Sequence, residues 1–466
     1  MEVLTERIQA LDSAIWQWYA MPMVLLLVGL ALTWVTGFVQ IRHFGRAVKM
    51  TFAGMRTKTD RASGEITPFQ ALSTALASTV GNGNIGGVAT AILIGGPGAV
   101  FWMWVCATFG MATKFAEAVL GVHYRVDRGE GDLASGPMYY IVQGFEGRPI
   151  GRVLAGAFAF FGMCAALLGT GNMAQSNTVA RTFVEAARET FGVEVSVWVP
   201  GILIAVIVGL VLLGGIQRIA SVAETLVPSM IVLYFGAAVV YILMNLGQVP
   251  HVLELIFARA FSPMAAVGGF AGASVAQAIA AGVSRGVLSN EAGLGSAPIA
   301  HGIAKVRHPA EQGLVGVFEV FIDTILVCSM TAFIILSSGL WQEAAYQGAS
   351  GDLTAAALGT SVPFARPIVA FCSFLFGFST LIGWSYYGEK CFEFLFGSRL
   401  LPAYRAVFTV LVLVGAIVEV KLVWAVGTLL NGFMAFPNLV GLLVLVPVVG
   451  RLAREYFSGP APGPAR

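Results

Sequence analysis

Two apolar stretches of the chain are interrupted near their centres by glycines and small polar side chains. The first stretch covers 71–92 and contains Gly81, Asn82, Gly83 and Asn84 in succession. Glycine weakens a helix, and hydrocarbon cannot satisfy the asparagine amides. At such a break the carbonyls that end one half-helix attract a cation, and the N–H groups that begin the next attract an anion. This chemistry suits a zwitterion with a small cation, such as sodium, beside it.

The second interrupted stretch covers 266–286. Its small and polar residues are Gly268, Gly269, Gly272, Ser274 and Gln277. Close packing between membrane helices explains glycines and serines equally well, but it does not explain the amides of Asn82, Asn84 and Gln277. Interrupted helices in corresponding halves of a transporter mark its binding site. We therefore predict that the two interruptions meet near the middle of the bilayer and bind the ligand together.

Two further apolar segments carry polar side chains that could complete such a site. Asn172 and Gln175 share one face of a predicted helix, which should point into the bundle. Ser379 and Thr380 supply adjacent hydroxyls for a cation, and Trp384, one turn beyond, would form a pocket wall. In the alternative, the hydroxyls bond carbonyls of their own helix and Trp384 anchors that helix at the membrane interface.

Acidic residues within apolar segments are candidates for function. Glu319 and Asp323 lie one helical turn apart, and they could form a gate, relay a proton or pair with a buried cation. Lys114 and Glu117, three positions apart, are interpreted as a local pair. The Asn-Glu sequence at 290–291 is expected in a loop, where it would cap or latch an inner gate.

The composition is that of a membrane protein. Apolar residues make up 57% of the chain and charged residues 11%, against roughly 25% charged residues in soluble domains. The net charge of +2 comes from scattered basic residues, which excludes a nucleic-acid partner. None of the five cysteines has CxxC spacing and none of the five histidines has HExxH spacing. We therefore expect no cofactor, no metal except sodium, no enzymatic site and no obligate protein partner.

Eleven segments are apolar enough to span a bilayer, which takes about 20 residues each. They are 20–40, 68–93, 98–122, 151–180, 197–216, 226–247, 263–284, 312–338, 366–388, 402–420 and 424–450. The predicted fold class is therefore an all-α polytopic membrane protein with eleven transmembrane helices.

The basic residues fall mostly in alternate loops, which predicts an amino terminus outside and a carboxyl terminus in the cytoplasm. If the first helix is set apart, the other ten divide into two sets of five, each beginning with an interrupted helix. Since five is odd, the second set enters the membrane from the opposite side. The predicted parts are an outward amino terminus with the extra helix (1–40), a basic cytoplasmic loop (41–67), the first repeat (68–247), the inverted second repeat (263–450) and a cytoplasmic tail (451–466).

Three segments resemble signatures of the alanine or glycine:cation symporter family: GNGNIGGVATAI (81–92), GGPGAVFWMWVCATFGMATKFAE (95–117) and SRGVLSNEAGLGSAPIAH (284–301). The resemblance covers nearly the whole chain. It implies a leucine-transporter-like fold and uptake of a small neutral amino acid, coupled to sodium or protons, across a prokaryotic inner membrane. It also implies a substrate site formed by Gly81–Asn84, Asn172, Gln175, Ser274–Gln277 and Thr380 with Trp384.

These observations lead us to expect a sodium-coupled symporter that works by alternating access. Sodium would bind first, between Thr79 and Asn84 of the first break and the Ser379–Thr380 hydroxyls, and alanine or glycine would then complete the site. The alternatives are coupling to protons through Glu319 or Asp323 and a preference for glutamine or serine. A membrane enzyme lacks a candidate nucleophile and base, and a channel would need a repeated filter.

Overall fold

The computed structural model describes residues 2–54, 64–129, 132–265, 272–347, 350–418 and 420–458. In these ranges the chain is mostly helical, and seven helical segments are long and apolar enough to cross a membrane. They are Gly98–His123, Pro149–Phe191, Gly215–Met244, Pro309–Ser338, Ala365–Phe396, Ser398–Ile417 and Leu422–Ser458. Met21–Val35 and Trp198–Leu212 are equally apolar but shorter. The prediction of a mostly helical membrane protein is confirmed.

The helices up to residue 265 are α1 (Glu2–Ile15), α2 (Met21–Val35), α3 (Val39–Arg42), α4 (Phe44–Gly54), α5 (Pro68–Thr79), α6 (Gly86–Gly95), α7 (Gly98–His123), α8 (Pro137–Gly144), α9 (Pro149–Leu168), α10 (Met173–Phe191), α11 (Trp198–Leu212), α12 (Gly215–Met244) and α13 (Val249–Ala260). A short antiparallel hairpin pairs β1 (Val126–Asp127) with β2 (Leu133–Ala134).

The later helices are α14 (Val275–Asn290), α15 (Ala297–His301), α16 (Pro309–Val320), α17 (Ser329–Ser338), α18 (Ser350–Gly359), α19 (Ala365–Phe396), α20 (Leu401–Ile417) and α21 (Val420–Ser458). A π-helical segment, Phe321–Cys328, joins α16 to α17. Single 3-10 turns lie at Asn82–Asn84, Leu246–Gln248, Leu340–Gln342, Ala344–Tyr346 and Ser398–Leu400.

The first break separates α5 from α6. Helix α5 begins with a capping box in which the Thr67 hydroxyl accepts from the backbone N–H of Gln70 and the Gln70 side chain accepts from that of Thr67. The helix ends at Thr79, a 3-10 turn follows at Asn82–Asn84, and α6 starts at Gly86. The interruption therefore lies within the Gly-Asn-Gly-Asn sequence, as the pattern predicts.

The second break lies further along the chain than we expected. Within the predicted stretch 266–286, α14 is continuous from Val275 onward, and it ends only at Asn290. Residues 291–296 are non-helical and buried, and α15 follows. The loop expected at residues 290–291 is therefore corrected to a buried break, because the polar groups of the segment find partners inside the protein rather than in water.

Two other apolar passes are also irregular. The predicted span 151–180 is interrupted at Gly169–Asn172, between α9 and α10. The predicted span 312–338 contains the π-helical segment, which carries Asp323. A π segment widens one turn of a helix and is frequent at functional sites. Neither irregularity was predicted, because Asn172 and Gln175 were placed together on one continuous helix and Asp323 was placed in an uninterrupted one.

Helix α7 lies at the centre of the bundle and packs against α14, α16 and α2, while α19 packs against α5, α9 and α10. Large apolar side chains face outward from α11, α12 and α20 instead. Val206, Val232 and Val410, for example, are each more than half exposed. An apolar exterior around a buried polar interior is the arrangement that a bilayer requires.

Some predicted features lie outside the described residues. These are Gly268 and Gly269 of the expected second interruption, residues 55–63 of the basic loop and residues 459–466 of the tail.

Gly295 provides a test of the buried second break. Its φ of +84° disfavours any other residue, and a Cβ would lie 2.7 Å from both Phe158 and Pro137. We expect Gly295→Ala to destabilise the protein by about 1–3 kcal/mol and to lower its unfolding temperature in detergent. Gly236→Ala is the control, since a Cβ there meets no atom within 4 Å. Equal unfolding temperatures for the two variants would contradict the buried break.

Candidate functional site

A cavity lies where the two breaks, the α9–α10 interruption and α19 come together. Its lining residues are Ser78, Thr79, Gly81, Gly83, Gly87, Thr170, Gln175, Arg285, Leu288, Glu291, Thr380, Trp384 and Trp424. Both polar and aromatic side chains are present, and the two charged ones have opposite signs. Such a mixture of apolar walls and a few placed polar groups is typical of a small-molecule site.

The first break is held open by its own asparagines. The Asn84 side-chain oxygen accepts from the Gly81 backbone N–H at 2.9 Å. The Asn82 amide donates to Gln175 Oε1 at 3.1 Å, and its oxygen accepts from the Ser373 hydroxyl at 2.6 Å. Both asparagine side chains are therefore engaged in hydrogen bonds within the protein. They support the break, and they are not among the residues that line the cavity.

The Asp323 carboxylate anchors the same break from the π-helical segment. Its Oδ1 accepts from Asn84 Nδ2 at 2.7 Å. Its Oδ2 accepts from the hydroxyls of Ser289 and Thr324, each at 2.7 Å. Asp323 is fully buried and joins the first break to the last turn of α14. Three donors on one carboxylate form a charge-assisted network, which is stronger than one of neutral bonds.

Glu291 begins the second break and lines the cavity. Its backbone is left-handed, with φ +56°. Trp384 Nε1 donates to Glu291 Oε1 at 2.7 Å, and the Ser296 hydroxyl donates to Oε2 at 2.5 Å. The carboxylate therefore connects the second break to α19 through Trp384.

The backbone of the second break is satisfied by side chains from α7 and α21. Glu117 Oε1 accepts from the Gly295 N–H at 3.0 Å and from Asn438 Nδ2 at 2.7 Å. Asn438 Nδ2 also donates to the Gly293 carbonyl at 2.9 Å. Backbone away from regular helix can persist at membrane depth when protein groups replace its lost partners.

A buried ion pair joins α7 to α16. Lys114 Nζ is 3.2 Å from Glu319 Oε1, and both side chains have zero exposure. The second oxygen of Glu319 lies 2.7 Å from His301 Nε2. The interpretation of Lys114 and Glu117 as a local pair is therefore wrong, because Lys114 forms its ion pair with Glu319 on another helix. Glu319 does not line the cavity.

The hydroxyls of the candidate ion site surround the end of α5. Thr380 Oγ1 donates to the Phe376 carbonyl, one turn before it, at 2.9 Å, and its lone pairs remain free for a cation. A Cβ at Gly81 would lie 2.5 Å from this hydroxyl oxygen, so only glycine lets the break approach α19 so closely. Thr79, the last residue of α5, lines the cavity beside them, whereas Ser379 is buried and bonds the same Phe376 carbonyl.

The predicted site residues divide into three groups. Those that line the cavity are Thr79, Gly81, Gly83, Gln175, Thr380 and Trp384. Those that support its walls are Asn82, Asn84, Asn172, Ser379, Glu319 and Asp323, all fully or almost fully buried. The third group is Ser274 and Gln277, which the structure does not bring to the cavity. They are exposed and form the capping box that starts α14.

The sequence pattern did not assign four conspicuous lining residues to the site. Arg285, Leu288 and Glu291 were missed because the second break was placed too early and the predicted span ended at residue 284, before all three. Trp424 was missed because a tryptophan near a helix end usually marks the membrane interface. Residues 290–296 did contain a signal for the break, because two glycines there follow an acidic residue within an otherwise apolar segment.

Comparison with known proteins identifies similar sequences along nearly the whole chain. The model of the sodium:alanine symporter family matches residues 1–463. The chain is 45% identical to the sodium/alanine symporter AgcS of Methanococcus maripaludis, with 95% of each chain covered. It is 39% identical to the probable sodium/glutamine symporter GlnT of Bacillus subtilis, with 94% of this chain and 88% of that one covered.

The fold is also similar to solved transporter structures. The structure of MhsT in complex with L-phenylalanine superposes with a TM-score of 0.54, covering 85% of this chain and 91% of that one. The sequence identity is 13%, so the similarity concerns the fold alone.

Asp323 provides a test of the network at the first break. Asp323→Asn replaces one acceptor oxygen with an NH₂ group, which then faces donors that it cannot accept from. We expect the free energy of unfolding to fall by about 1–3 kcal/mol. The measurement is the unfolding temperature of the purified protein in detergent. Asp127→Asn is the control, because Asp127 is exposed and its Oδ1 accepts from the nearby backbone N–H of Gly129. An unchanged unfolding temperature for Asp323→Asn would show that the network does not hold the break.

Proposed function

The chain belongs to the sodium:alanine symporter family, and we propose that it couples sodium entry to the uptake of a small neutral amino acid, alanine or glycine. The observation that supports this most is the cavity between the two breaks. There the unwound backbone of both, the Thr380 hydroxyl and two opposite charges converge. The family is one of transporters and not of enzymes, so the cavity is interpreted as a transport site.

We propose that the chain crosses the membrane eleven times. Seven long helical segments and two shorter apolar helices account for nine crossings. The other two are the broken passes, α5 with α6 and α14 with α15, whose halves are individually too short to be recognised by length. On this assignment α2 is the extra helix, and two inverted sets of five follow it. The fold shared with MhsT supports this arrangement.

The proposed location is the plasma membrane of a prokaryote. The amino terminus lies outside and the carboxyl terminus in the cytoplasm, because the basic residues then fall mostly in cytoplasmic loops. The apolar exterior faces the lipid bilayer. One chain forms the whole proposed site, so the proposal includes no obligate protein partner.

The mechanism follows from what each end of the broken helix presents. Sodium binds at the carbonyl end of α5, beside the hydroxyls of Thr79 and Thr380, where the partial charge is negative. The amino acid then binds across the cavity, with its carboxylate toward the N–H groups of the unwound segment and α6. Both ligands favour the closed state, and a coupling free energy of about 1–3 kcal/mol is enough to link their transport.

Two alternatives remain within the same fold. Coupling to protons would use a buried acid. Glu319 is held in an ion pair with Lys114, which leaves Asp323 as the better candidate for relay or gate. A preference for glutamine or serine is the other alternative, and one relative is named as a probable sodium/glutamine symporter.

Asn82 tests the site at the first break. Asn82→Ala removes the side-chain hydrogen bonds that Asn82 makes with Gln175 and Ser373, so we expect sodium-dependent uptake of alanine or glycine to be abolished while expression persists. Uptake into proteoliposomes with and without a sodium gradient is the measurement. Asn245→Ala, which removes an amide bonded to Tyr241 and Ser361 away from the cavity, is the control. Unchanged kinetics in Asn82→Ala would remove this break from the mechanism.

Thr380 tests the ion site. Thr380→Ala should raise the sodium concentration for half-maximal uptake several-fold, since a hydroxyl ligand is lost. Thr409→Ala is the matched control, because Thr409 also donates to a carbonyl one turn before it, at 2.9 Å, but lies outside the cavity. A changed affinity for the amino acid with an unchanged sodium dependence would contradict the assignment.

A further inference from the structure

Two of the described residues that line the cavity are charged, and both come from the pass that contains the second break. Arg285 lies within α14, and Glu291 follows the last turn of that helix. The cavity therefore presents a positive and a negative side chain to whatever binds in it. This pair of charges matches a zwitterion, which is neutral overall but carries both signs.

Glu291 lines the cavity, and among the described residues its carboxylate has no counterion within ion-pair distance. Its side chain is almost fully buried, with 2% exposure. The two groups that contact its carboxylate, the Trp384 indole N–H and the Ser296 hydroxyl, are both neutral donors. In the part of the chain that the structure describes, no lysine, arginine or histidine lies within ion-pair distance of it. A buried carboxylate in this situation attracts a cation, since unpaired buried charge is costly.

Lys114, the buried lysine near Glu291, already has an ion-pair partner. Lys114 forms its ion pair with Glu319 at 3.2 Å, and neither side chain has any exposure. The other acids nearby bind groups of the protein. Asp323 accepts three hydrogen bonds, and Glu117 Oε1 holds the backbone of the second break while its Oε2 has no partner among the described residues. None of these three acids lines the cavity, and Glu291 does.

Three cations could meet this carboxylate: a proton, sodium or the ammonium group of the amino acid. A protonated Glu291 would carry its hydrogen on Oε2 and donate it to the Ser296 hydroxyl, because the Trp384 indole bonded to Oε1 can only donate. It would also leave Arg285 as the one charged side chain among the described residues that line the cavity, so a proton alone does not account for the pair of charges. A hard cation takes a shell of oxygen ligands. The hydroxyl side chains that line the cavity, those of Ser78, Thr79, Thr170 and Thr380, lie on α5, the α9–α10 interruption and α19 rather than on the second break.

The ammonium group fits what remains. It brings three N–H donors, and each oxygen of Glu291 keeps a lone pair after its one observed bond. The indole of Trp384 lines the same cavity and is bonded to the same carboxylate, so its ring can also face a cation. The left-handed backbone at Glu291, with φ +56°, is the kind of strained geometry that persists where it serves a site.

We propose that Glu291 binds the α-ammonium group of the transported amino acid and thereby restricts the substrates to zwitterions. This inference rests on the proposed function and adds the group that recognises the positive end of the substrate. It also explains why a carboxylate occupies the break, where backbone carbonyls alone would offer only partial charges.

The test compares Glu291→Gln with the wild type in proteoliposomes under a sodium gradient. The amide keeps the size of the side chain but removes its charge. We expect the KM for alanine, or for whichever of glycine, serine or glutamine the wild type takes up best, to rise about tenfold or more, with a smaller change in the maximal rate. The sodium concentration for half-maximal uptake, measured at saturating amino acid, should stay the same.

Competition gives a readout that a purely structural role would not change. Propionate is alanine without its ammonium group, and it should inhibit the wild type poorly because it leaves Glu291 unpaired. In Glu291→Gln the ratio of the half-inhibitory concentrations of propionate and alanine should fall about tenfold or more. Glu389→Gln is the matched control, since Glu389 is a buried carboxylate that pairs with Arg405 outside the cavity, and it should leave both the ratio and the KM unchanged.

If Glu291→Gln does not fold, Glu291→Asp serves instead. Aspartate keeps the charge but is shorter by one methylene group, so the KM should rise by a smaller factor than in Glu291→Gln. Three results would overturn the proposal: an unchanged KM and competition ratio, a shift confined to the sodium dependence, or a shift confined to the pH profile of uptake. A wild type that takes up none of the four amino acids with sodium overturns the proposed function, and this inference with it.

Discussion

The structure depends on one constraint: backbone groups at the centre of a membrane bundle must find partners inside the protein. At the first break, the Thr331 hydroxyl donates to the Asn84 carbonyl at 2.8 Å. At the second, Glu117 and Asn438 bind the N–H of Gly295 and the carbonyl of Gly293. Each opened turn therefore has dedicated side chains from neighbouring helices, and the cavity exists because those side chains remove the need for continuous helix.

The same constraint explains why so many polar residues near the cavity do not line it. Asn82, Asn84 and Asp323 use their hydrogen bonds to hold the first break in place. The ion pair of Lys114 with Glu319 joins α7 to α16 outside the cavity. What faces the cavity is backbone with a few well-supported side chains, and a site built this way keeps its geometry when a ligand arrives because the ligand does not have to order it.

The sequence alone predicted the class of protein, the first break and its glycines, because a helix that faces hydrocarbon has no use for glycine and asparagine at its centre. It misplaced the second break, since Asn290 and Glu291 resemble loop residues until their partners in space are known. Glu291 accepts a hydrogen bond from Trp384, 93 positions away along the chain. The interruption at Gly169–Asn172 and the π-helical segment also depend on packing between distant helices, which a single sequence does not reveal.

The two unwound segments are proposed to hold an amino acid together with sodium, and this is the central claim. The most direct measurement is an experimental map of the protein purified with alanine and sodium, compared with one prepared without either. We predict density for the amino acid between the Gly81–Asn84 turn and Glu291, with ion density beside Thr380. Ligand density elsewhere, or two continuous helices through residues 80–85 and 291–296, would contradict the claim.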